Sequence, residues 1–296
     1  MSRVRIDVND HTDVPLTEAS VFASAAEAGG LDGVGVHDHQ GSGHDVFIRL
    51  TLIARETSRV TLFPSVTNPI TRHPGILAAV GNSLAEIAPG RARLMMGAGD
   101  LAISSIGLRP ASIETMRESS LAIRALWEGE SATFKGKRLQ RLQHLSEPRP
   151  TLYINASSPR MLECAGESAD GVYAMVGIHS EVIKRAREHV VIGIKRAGRN
   201  TSEVPMALGV PIYMGDNQEQ ALEGMRRYVS NNFQSSTKVF AGVMREMYPS
   251  LPSISDPKDL SPNTLSTVAS ALGIVGTPAE CGKQLKAFFG EVKPDH

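Results

Sequence analysis

Short apolar runs alternate along this chain with longer stretches in which apolar residues recur at helical spacing. The apolar runs predict strands at residues 4–8, 33–37, 60–66, 92–97, 151–155, 171–175, 206–214 and 272–275. The longer stretches predict helices at residues 16–28, 45–57, 75–88, 113–128, 159–167, 180–197, 217–247 and 278–289. Successive strand–helix units of this number favour a fold of the α/β class, a (β/α)₈ TIM barrel, over an open sheet.

Two segments interrupt the alternation. Residues 131–142 alternate polar and apolar positions around Gly136, which predicts a hairpin. Residues 228–262 are longer than a barrel helix needs and become proline-rich, which predicts an insertion after the seventh strand. Long insertions in compact domains are often active-site lids, so we expect this one to cover the mouth of the barrel. Residues 1–296 as a whole are interpreted as a single domain.

Composition narrows the classes of partner. The 296 residues are 41% hydrophobic and carry 31 basic and 31 acidic side chains, and this balance argues against nucleic acid as a partner. Cys164 and Cys281 lie far apart in no Cys-x-x-Cys pair, which favours free thiols in a reducing compartment. The N-terminus lacks a signal-peptide core, and no apolar run reaches the ~18 residues of a membrane span. We therefore expect a cytoplasmic protein without a membrane partner.

The second predicted strand ends in ionisable residues. His37 and His39 share one face if the strand continues, and Asp38 takes the other face. A histidine beside a carboxylate suits proton transfer near neutral pH. Two other interpretations stay open, a purely structural role and a metal site completed by His44 and His73. Later strand ends supply no further histidine, so no metal is predicted.

Other strand ends carry small residues. Gly97 and Gly99 allow a ligand to approach the backbone, and Asp100 can bond a substrate or cofactor or serve only as a turn carboxylate. Ala156, Ser157 and Ser158 precede the helix that starts at Pro159, and the free N–H groups of a helix start can bind a phosphate. Simple N-capping by Ser158 is the alternative.

The same form recurs before the last helix, at Gly276 and Thr277, where barrels often bind phosphate. Thr277 is also a candidate N-cap, with Glu280 three residues later completing a capping box. Neither site contains Gly-x-Gly-x-x-Gly or a P-loop, so a Rossmann or NTPase fold has no support.

Several motifs, in this order, resemble one enzyme family. They are Val36-His37-Asp38-His39, Ser65-Val66-Thr67-Asn68-Pro69 with Arg72-His73-Pro74, Gly97-Ala98-Gly99-Asp100, Ile123-Arg124-Ala125-Leu126-Trp127-Glu128-Gly129, Tyr153-Ile154-Asn155-Ala156-Ser157-Ser158-Pro159, Ala169-Asp170-Gly171 and Gly276-Thr277-Pro278. The chain resembles the bacterial-luciferase-like flavin and deazaflavin oxidoreductases. Within them it is most similar to the coenzyme F420-dependent branch, that of methylenetetrahydromethanopterin reductase and F420-dependent glucose-6-phosphate dehydrogenase.

The resemblance implies a TIM barrel, a homodimer, and a deazaflavin ring at the mouth. It implies a cis peptide at Ser65–Val66 that presses the backbone against the ring. His39, assisted by Asp38, would move the proton that accompanies a hydride, and Asp100 would position the substrate or act as the alternate acid. The residues implied to bind the cofactor are Ser65, Val66, Thr67, Asn68, Gly99, Ala156, Ser157, Ser158, Gly177, Gly276 and Thr277.

The cofactor implied by the resemblance is F420, and FMN is the alternative. The function is then hydride transfer between the deazaflavin and a C=C, C=N or C=O bond of a small organic substrate. The alternatives are an FMN-dependent monooxygenase, a non-catalytic flavin-binding barrel and a metal-dependent hydrolase. A flavin or F420 reductase that recycles the cofactor is the further partner. Residues 40–43 lack the aromatic side chain of relatives that act on sugar phosphate, which weakens that choice of substrate.

Overall fold

A parallel sheet follows the predicted order of strands. The computed structural model describes residues 3–10, 14–99, 101–234, 239–247 and 260–292. Its strands are β1 Asp7–Asp10, β2 Gly33–Val36, β3 Thr61–Pro64, β4 Arg93–Met96, β5 Ala132–Phe134, β6 Lys137–Leu139, β7 Thr151–Ala156, β8 Gly171–Ala174, β9 Met206–Leu208, β10 Ile212–Met214 and β11 Ile274–Gly276.

The pairing of these strands is that of a barrel. β1, β2 and β3 pair in parallel, and so do β4, β7, β8 and β9. Parallel bridges from Leu62 to Ala92 and from Thr67 to Met96 join β3 to β4. β10 pairs in parallel with β11. The predicted α/β barrel is confirmed, and the carboxyl ends of its strands lie together at one end, the mouth.

The seventh barrel strand was wrongly predicted to be continuous. The segment 206–214 forms two strands, β9 against β8 and β10 against β11. Between them the Gly209 amide donates to the Ala174 carbonyl, while the Pro211 carbonyl accepts from the Ile274 amide. Proline has no N–H to donate to a ladder, so the chain changes its partner strand at Pro211. The first strand also begins at Asp7 instead of residue 4, and the last begins at Ile274 instead of residue 272.

Helices cover the outside of the sheet. They are α1 Val21–Ala28, α2 Val46–Glu56, α3 Pro74–Ile87, α4 Leu101–Ser104, α5 Ile113–Trp127, α6 Pro159–Ser168, α7 Ser180–Arg196, α8 Gln218–Gln234, α9 Val239–Met247, α10 Pro262–Leu272 and α11 Pro278–Val292. The long helix predicted at 217–247 is α8 and α9, with residues 235–238 between them outside the described residues. The helix predicted at 16–28 is a 3₁₀ turn, Leu16–Glu18, followed by α1.

The described part of the 228–262 insertion packs against loops at the mouth. The Val239 amide, at the start of α9, donates to the Ser157 carbonyl over 2.9 Å. Phe240 is buried, and Arg185 of α7 forms an ion pair with Glu246 at 2.7 Å. Residues 248–259 of the insertion lie outside the described residues. Its role as a lid stays a prediction.

Two smaller predictions are confirmed. The hairpin at 131–142 is formed by β5 and β6, which pair antiparallel. Both cysteines are buried free thiols. Within the described ranges, no helix combines the length and the apolar character needed to cross a membrane.

A charged side chain fills the end of the barrel opposite the mouth. Arg93 begins β4 and bonds Asp7 of β1 at 2.8 Å, with only 5% of the Arg93 side chain exposed. The Arg93 guanidinium lies 5.3 Å from the Phe63 ring centre and 4.4 Å from that of Tyr153. Gly171 makes room for this layer, because a Cβ there would lie 2.4 Å from the Tyr153 ring. Arg93 is therefore the residue that Asp7, Phe63 and Tyr153 contact at this end of the barrel.

Candidate active site

The end of β2 brings two histidines and an aspartate to the mouth. The His37 and His39 rings meet edge to face with centres 6.5 Å apart, so they share one side of the chain as predicted. His37 is exposed and His39 half-buried. Asp38, between them, is only 8% exposed. Because successive side chains of an extended chain point to opposite sides, Asp38 points inward, away from the two rings.

The backbone fixes the orientation of the His39 ring. Nδ1 of His39 accepts a hydrogen bond from the Gly41 amide at 3.0 Å, at the start of a 3₁₀ turn, Gln40–Ser42. A nitrogen that accepts this bond carries no proton, so the neutral imidazole carries its proton on Nε2. A Cβ at Gly41 would lie 2.9 Å from the ring, and glycine therefore permits the contact.

Asp38 bonds an arginine and not His39. Nη1 of Arg72 donates to Oδ2 of Asp38 at 2.5 Å, and Nη2 donates to Oδ2 of Asp45 at 2.8 Å. The guanidinium also lies 5.2 Å from the centre of the Phe47 ring. The interpretation in which Asp38 assists His39 therefore needs correction, because the carboxylate faces Arg72.

Their mutual contact favours the charged forms of Arg72 and Asp45. Burial favours the neutral form of Arg72, but the Asp38 and Asp45 carboxylates outweigh it and raise the pKa of Arg72 above its ordinary value. Burial likewise opposes ionisation of Asp45, yet hydrogen bonds from Arg72 and from the Phe47 and Ile48 amides hold the pKa of Asp45 below its usual range. The sequence places Arg72 in a family motif, but no local pattern indicates that it pairs with Asp38 and Asp45.

The loop after β3 contains the non-proline cis peptide Ser65–Val66, as the resemblance implied. Thr67 is completely buried, and its amide and carbonyl pair with Met95 and Gly97 of the next strand and loop. Val66 packs against Gly97, where a Cβ would lie 2.8 Å from Cγ2 of Val66. The half-buried Val66 therefore projects from a backbone that is fixed on both sides.

Asn68 closes the turn that follows. Its Oδ1 accepts from the Ile70 amide at 3.0 Å and from the Thr71 amide at 2.8 Å. His73 then caps α3, with Nδ1 accepting from the Gly75 amide at 3.1 Å. His73 is therefore a capping residue. Among the residues that the structure describes, no group of three His, Cys, Asp or Glu side chains is placed to hold a metal.

The loop after β4 turns sharply at Gly99, which has φ of 92°. A Cβ at Gly99 would lie 2.2 Å from Ile103, so the space beside this glycine is filled by the protein itself. Asp100 lies outside the described residues. Nε2 of Gln40 donates to the Ala102 carbonyl, which joins the loops after β2 and β4 across the mouth.

The start of α6 is open. Ser158 stands at the N-cap but makes no side-chain capping bond, so the alternative of simple N-capping is wrong. Ala156 is buried at the end of β7, and Ser157 is half-buried beside α9. Pro159, the first residue of α6, has no N–H, and the Met161 amide donates to the Ser158 carbonyl at 3.1 Å. The Arg160 amide and the Ser158 hydroxyl are the groups that this helix start offers to an anion.

Protein groups already fill the space beside three further residues proposed to bind the cofactor, Gly177, Gly276 and Thr277. At Gly177 a Cβ would lie 2.8 Å from the Ala271 carbonyl of α10. Thr277 forms the predicted capping box, with its amide and hydroxyl both 2.8 Å from Oε2 of Glu280. These bonds, the one from the amide first, lower the pKa of Glu280. In this conformation the Glu280 carboxylate stands where an anion at Gly276 and Thr277 would bind.

A parallel barrel with histidine, carboxylate and small residues at the carboxyl ends of its strands defines a protein of the TIM-barrel class. The sequence matches the family model for luciferase-like monooxygenases over residues 1–293, and the chain belongs to this family.

Comparisons with individual proteins point to one branch. The chain is 35% identical to 5,10-methylenetetrahydromethanopterin reductase of Methanolobus tindarius over 65% of this chain and 60% of that enzyme. It is 30% identical to F420-dependent glucose-6-phosphate dehydrogenase of Kineococcus radiotolerans over 69% of this chain and 66% of that enzyme. The chain therefore spans about two thirds or less of these relatives' own length.

The solved structure of the coenzyme F420-dependent tetrahydromethanopterin reductase of Methanopyrus kandleri shares the fold. Its TM-score is 0.77 at 22% identity, with 98% of this chain and 91% of that chain covered.

Proposed function

We propose that this protein is an F420-dependent oxidoreductase that transfers a hydride between the deazaflavin and a C=C, C=N or C=O bond of a small organic substrate. The observation that carries the proposal is the fixed Val66 bulge, which lies at the mouth with the His39 strand end. Relatives from two different activities share dependence on F420, which supports this cofactor over FMN.

The residues present fit such a group. Val66 offers an apolar surface to a flat ring, and the absence of a Cβ at Gly97 leaves room behind it. The open start of α6, with Ser157 and Ser158, suits the phosphate. When bound, the deazaflavin supplies the ring carbon that gives or takes the hydride.

His39 is the side chain we assign to the accompanying proton. Its ring is half-buried at the mouth, and its Nδ1 is engaged by the Gly41 amide. Nε2 is therefore the atom that would hold the proton exchanged with the substrate heteroatom. Positioned proton transfer of this kind contributes about 10²- to 10⁴-fold to a rate.

Equilibrium titration of the purified protein with F420 and, separately, with FMN tests the proposal. We expect micromolar or tighter binding of F420 and much weaker binding of FMN, followed by ring fluorescence. The reverse preference would replace the proposal by an oxygen-using flavin enzyme. Binding of neither would exclude both redox functions.

The His39→Asn variant separates binding from chemistry. We expect it to bind F420 like the wild type and to lose hydride transfer to any substrate found by screening. Unchanged transfer by this variant would remove His39 from the mechanism.

The homodimer is a further proposal, supported by an apolar outer face on α2 and α3. This outer face exposes Ile48, Leu52, Ile76 and Ile87 to solvent. Apolar patches of this kind commonly mark protein interfaces. We expect Ile48→Glu to yield a monomer by sedimentation velocity, and Ile192→Glu on α7, which is also exposed, to leave the dimer intact. A monomeric wild type would contradict the proposal.

Two finer inferences accompany the proposed function. Repeated turnover needs a second enzyme, a flavin or F420 reductase, to recycle the cofactor, and pull-down with F420-reducing activity as the readout tests it. The buried free thiols Cys164 and Cys281 suit a reducing compartment, and cell fractionation tests a cytoplasmic location.

A further inference from the structure

One arginine joins three separate elements at the mouth. Arg72 lies in the loop after β3, Asp38 in the loop after β2, and Asp45 at the start of α2. Arg72 bonds both aspartates and lies 3.5 Å from Oγ1 of Thr67 through Nη1. Only 20% of the Arg72 side chain and 8% of that of Asp38 are exposed, so the bond between them forms largely out of water, whereas Asp45 is 43% exposed.

The two inner contacts adjoin the proposed reactive residues. Asp38 directly precedes His39, and Thr67 directly follows Val66. Bonds from one guanidinium to Asp38 and Thr67 therefore fix the distance between the His39 backbone and the Val66 bulge. If Val66 contacts one face of a flat ring, that distance decides where His39 stands relative to the ring.

We infer that Arg72 is a positioning residue, which ties Asp38 to Thr67 and so sets the width of the cofactor site between His39 and Val66. The inference rests on the proposed function for the identity of the cofactor. Asp38 then serves to hold Arg72 in this clamp, and the accompanying proton is left to His39. Here the clamp means Arg72 with Asp38, Asp45 and Thr67.

Arginine is suited to this role. Its planar guanidinium presents donors in fixed directions, so two carboxylates and a hydroxyl can be bonded at once. Phe47 lies against the guanidinium and limits its movement. A lysine carries the same charge but only one nitrogen, so Arg72→Lys should restore charge and lose part of the geometry.

A double-mutant cycle in thermal unfolding tests the clamp without any cofactor. Arg72→Met leaves the buried Asp38 carboxylate without its cation, and an uncompensated buried charge is strongly destabilising. We therefore expect Arg72→Met to melt well below wild type, and Asp38→Asn added to Arg72→Met to restore part of the loss.

The other titratable groups near Asp38 are held constant in this comparison. His37, His39 and Asp45 are present in both the single and the double variant. Asp45→Asn is the matched control for Asp38→Asn. Asparagine still caps α2, and only the more exposed carboxylate of the clamp is removed. Arg55→Met, an exposed position on the same helix, controls for loss of surface charge.

The second cycle measures F420 affinity by fluorescence in the same variants. We expect Arg72→Met and Asp38→Asn each to weaken binding about tenfold, the double variant to bind no worse than either, and Arg72→Lys to recover part of the loss. Losses that multiply in the double variant, or wild-type affinity in Arg72→Met, would overturn the inference.

The two cycles separate the possible failures. A wild type that does not bind F420 contradicts the proposed function, and the affinity cycle is then run with FMN. Additive losses in the thermal cycle contradict the clamp itself, whichever cofactor binds.

Discussion

Replacing Arg93 with methionine is expected to lower the free energy of unfolding by about 3 to 5 kcal/mol, the usual result of removing one partner of a buried ion pair. Arg93 bonds Asp7 at 2.8 Å with 5% and 14% of the two side chains exposed. The substitution also removes the contacts of the guanidinium with the Phe63 and Tyr153 rings. Urea unfolding followed by circular dichroism measures the change.

The double variant Asp7→Asn, Arg93→Met is the control for this prediction. It removes both charges, so we expect it to be more stable than Arg93→Met alone. Because the pair lies at the end of the barrel opposite the mouth, F420 affinity should not change in folded Arg93→Met. A loss below about 1 kcal/mol, the range of exposed ion pairs, would show that water already screens this pair.

The central strands could be predicted because their signals are local. β2, β3 and β4 are buried on both faces, and each is an apolar run that stops at polar or small residues. The division of the seventh strand could not be predicted in this way. Its apolar pattern continues through Gly209 to Pro211, and the break depends on which neighbouring strand each half pairs with.

Helix α10 was missed although the sequence carries its start signal. Ser261 caps it, with Oγ accepting from the Thr264 amide at 3.2 Å, and Pro262 occupies the first turn. The predicted insertion ended at residue 262, and residues 263–271 were assigned no element.

The site residues, like the strands, could be predicted only where the signal is local. Alternation placed His37 and His39 on one face, and the ring geometry confirms it. Arg72 and Asp38 are 34 residues apart, and no local pattern links a loop arginine to a particular acid on another loop. The cis peptide at Ser65–Val66 followed only from the family resemblance.

The second large effect is expected from a substitution at Gly97, because Val66 packs against this glycine. Gly97→Ala would place a Cβ 2.8 Å from Cγ2 of Val66. Val66 must then move from its place in the cofactor site, and overpacking of this kind costs about 1 to 3 kcal/mol of stability. A displaced Val66 no longer meets the ring in the same place, so we also expect F420 affinity to fall by about tenfold, which corresponds to about 1.4 kcal/mol of binding free energy. Thermal unfolding and fluorescence titration measure the two losses.

A second substitution tests whether Val66 is the cause. In Gly97→Ala with Val66→Ala, the new Cβ faces the Cβ of residue 66 at 3.8 Å, an ordinary contact. Stability should therefore recover, while affinity stays low because the apolar surface beneath the ring is smaller. Gly282→Ala, in a helix with open space around the glycine, should not destabilise the protein. If Val66→Ala restores no stability, Gly97 is needed for its own backbone and not for the approach of Val66.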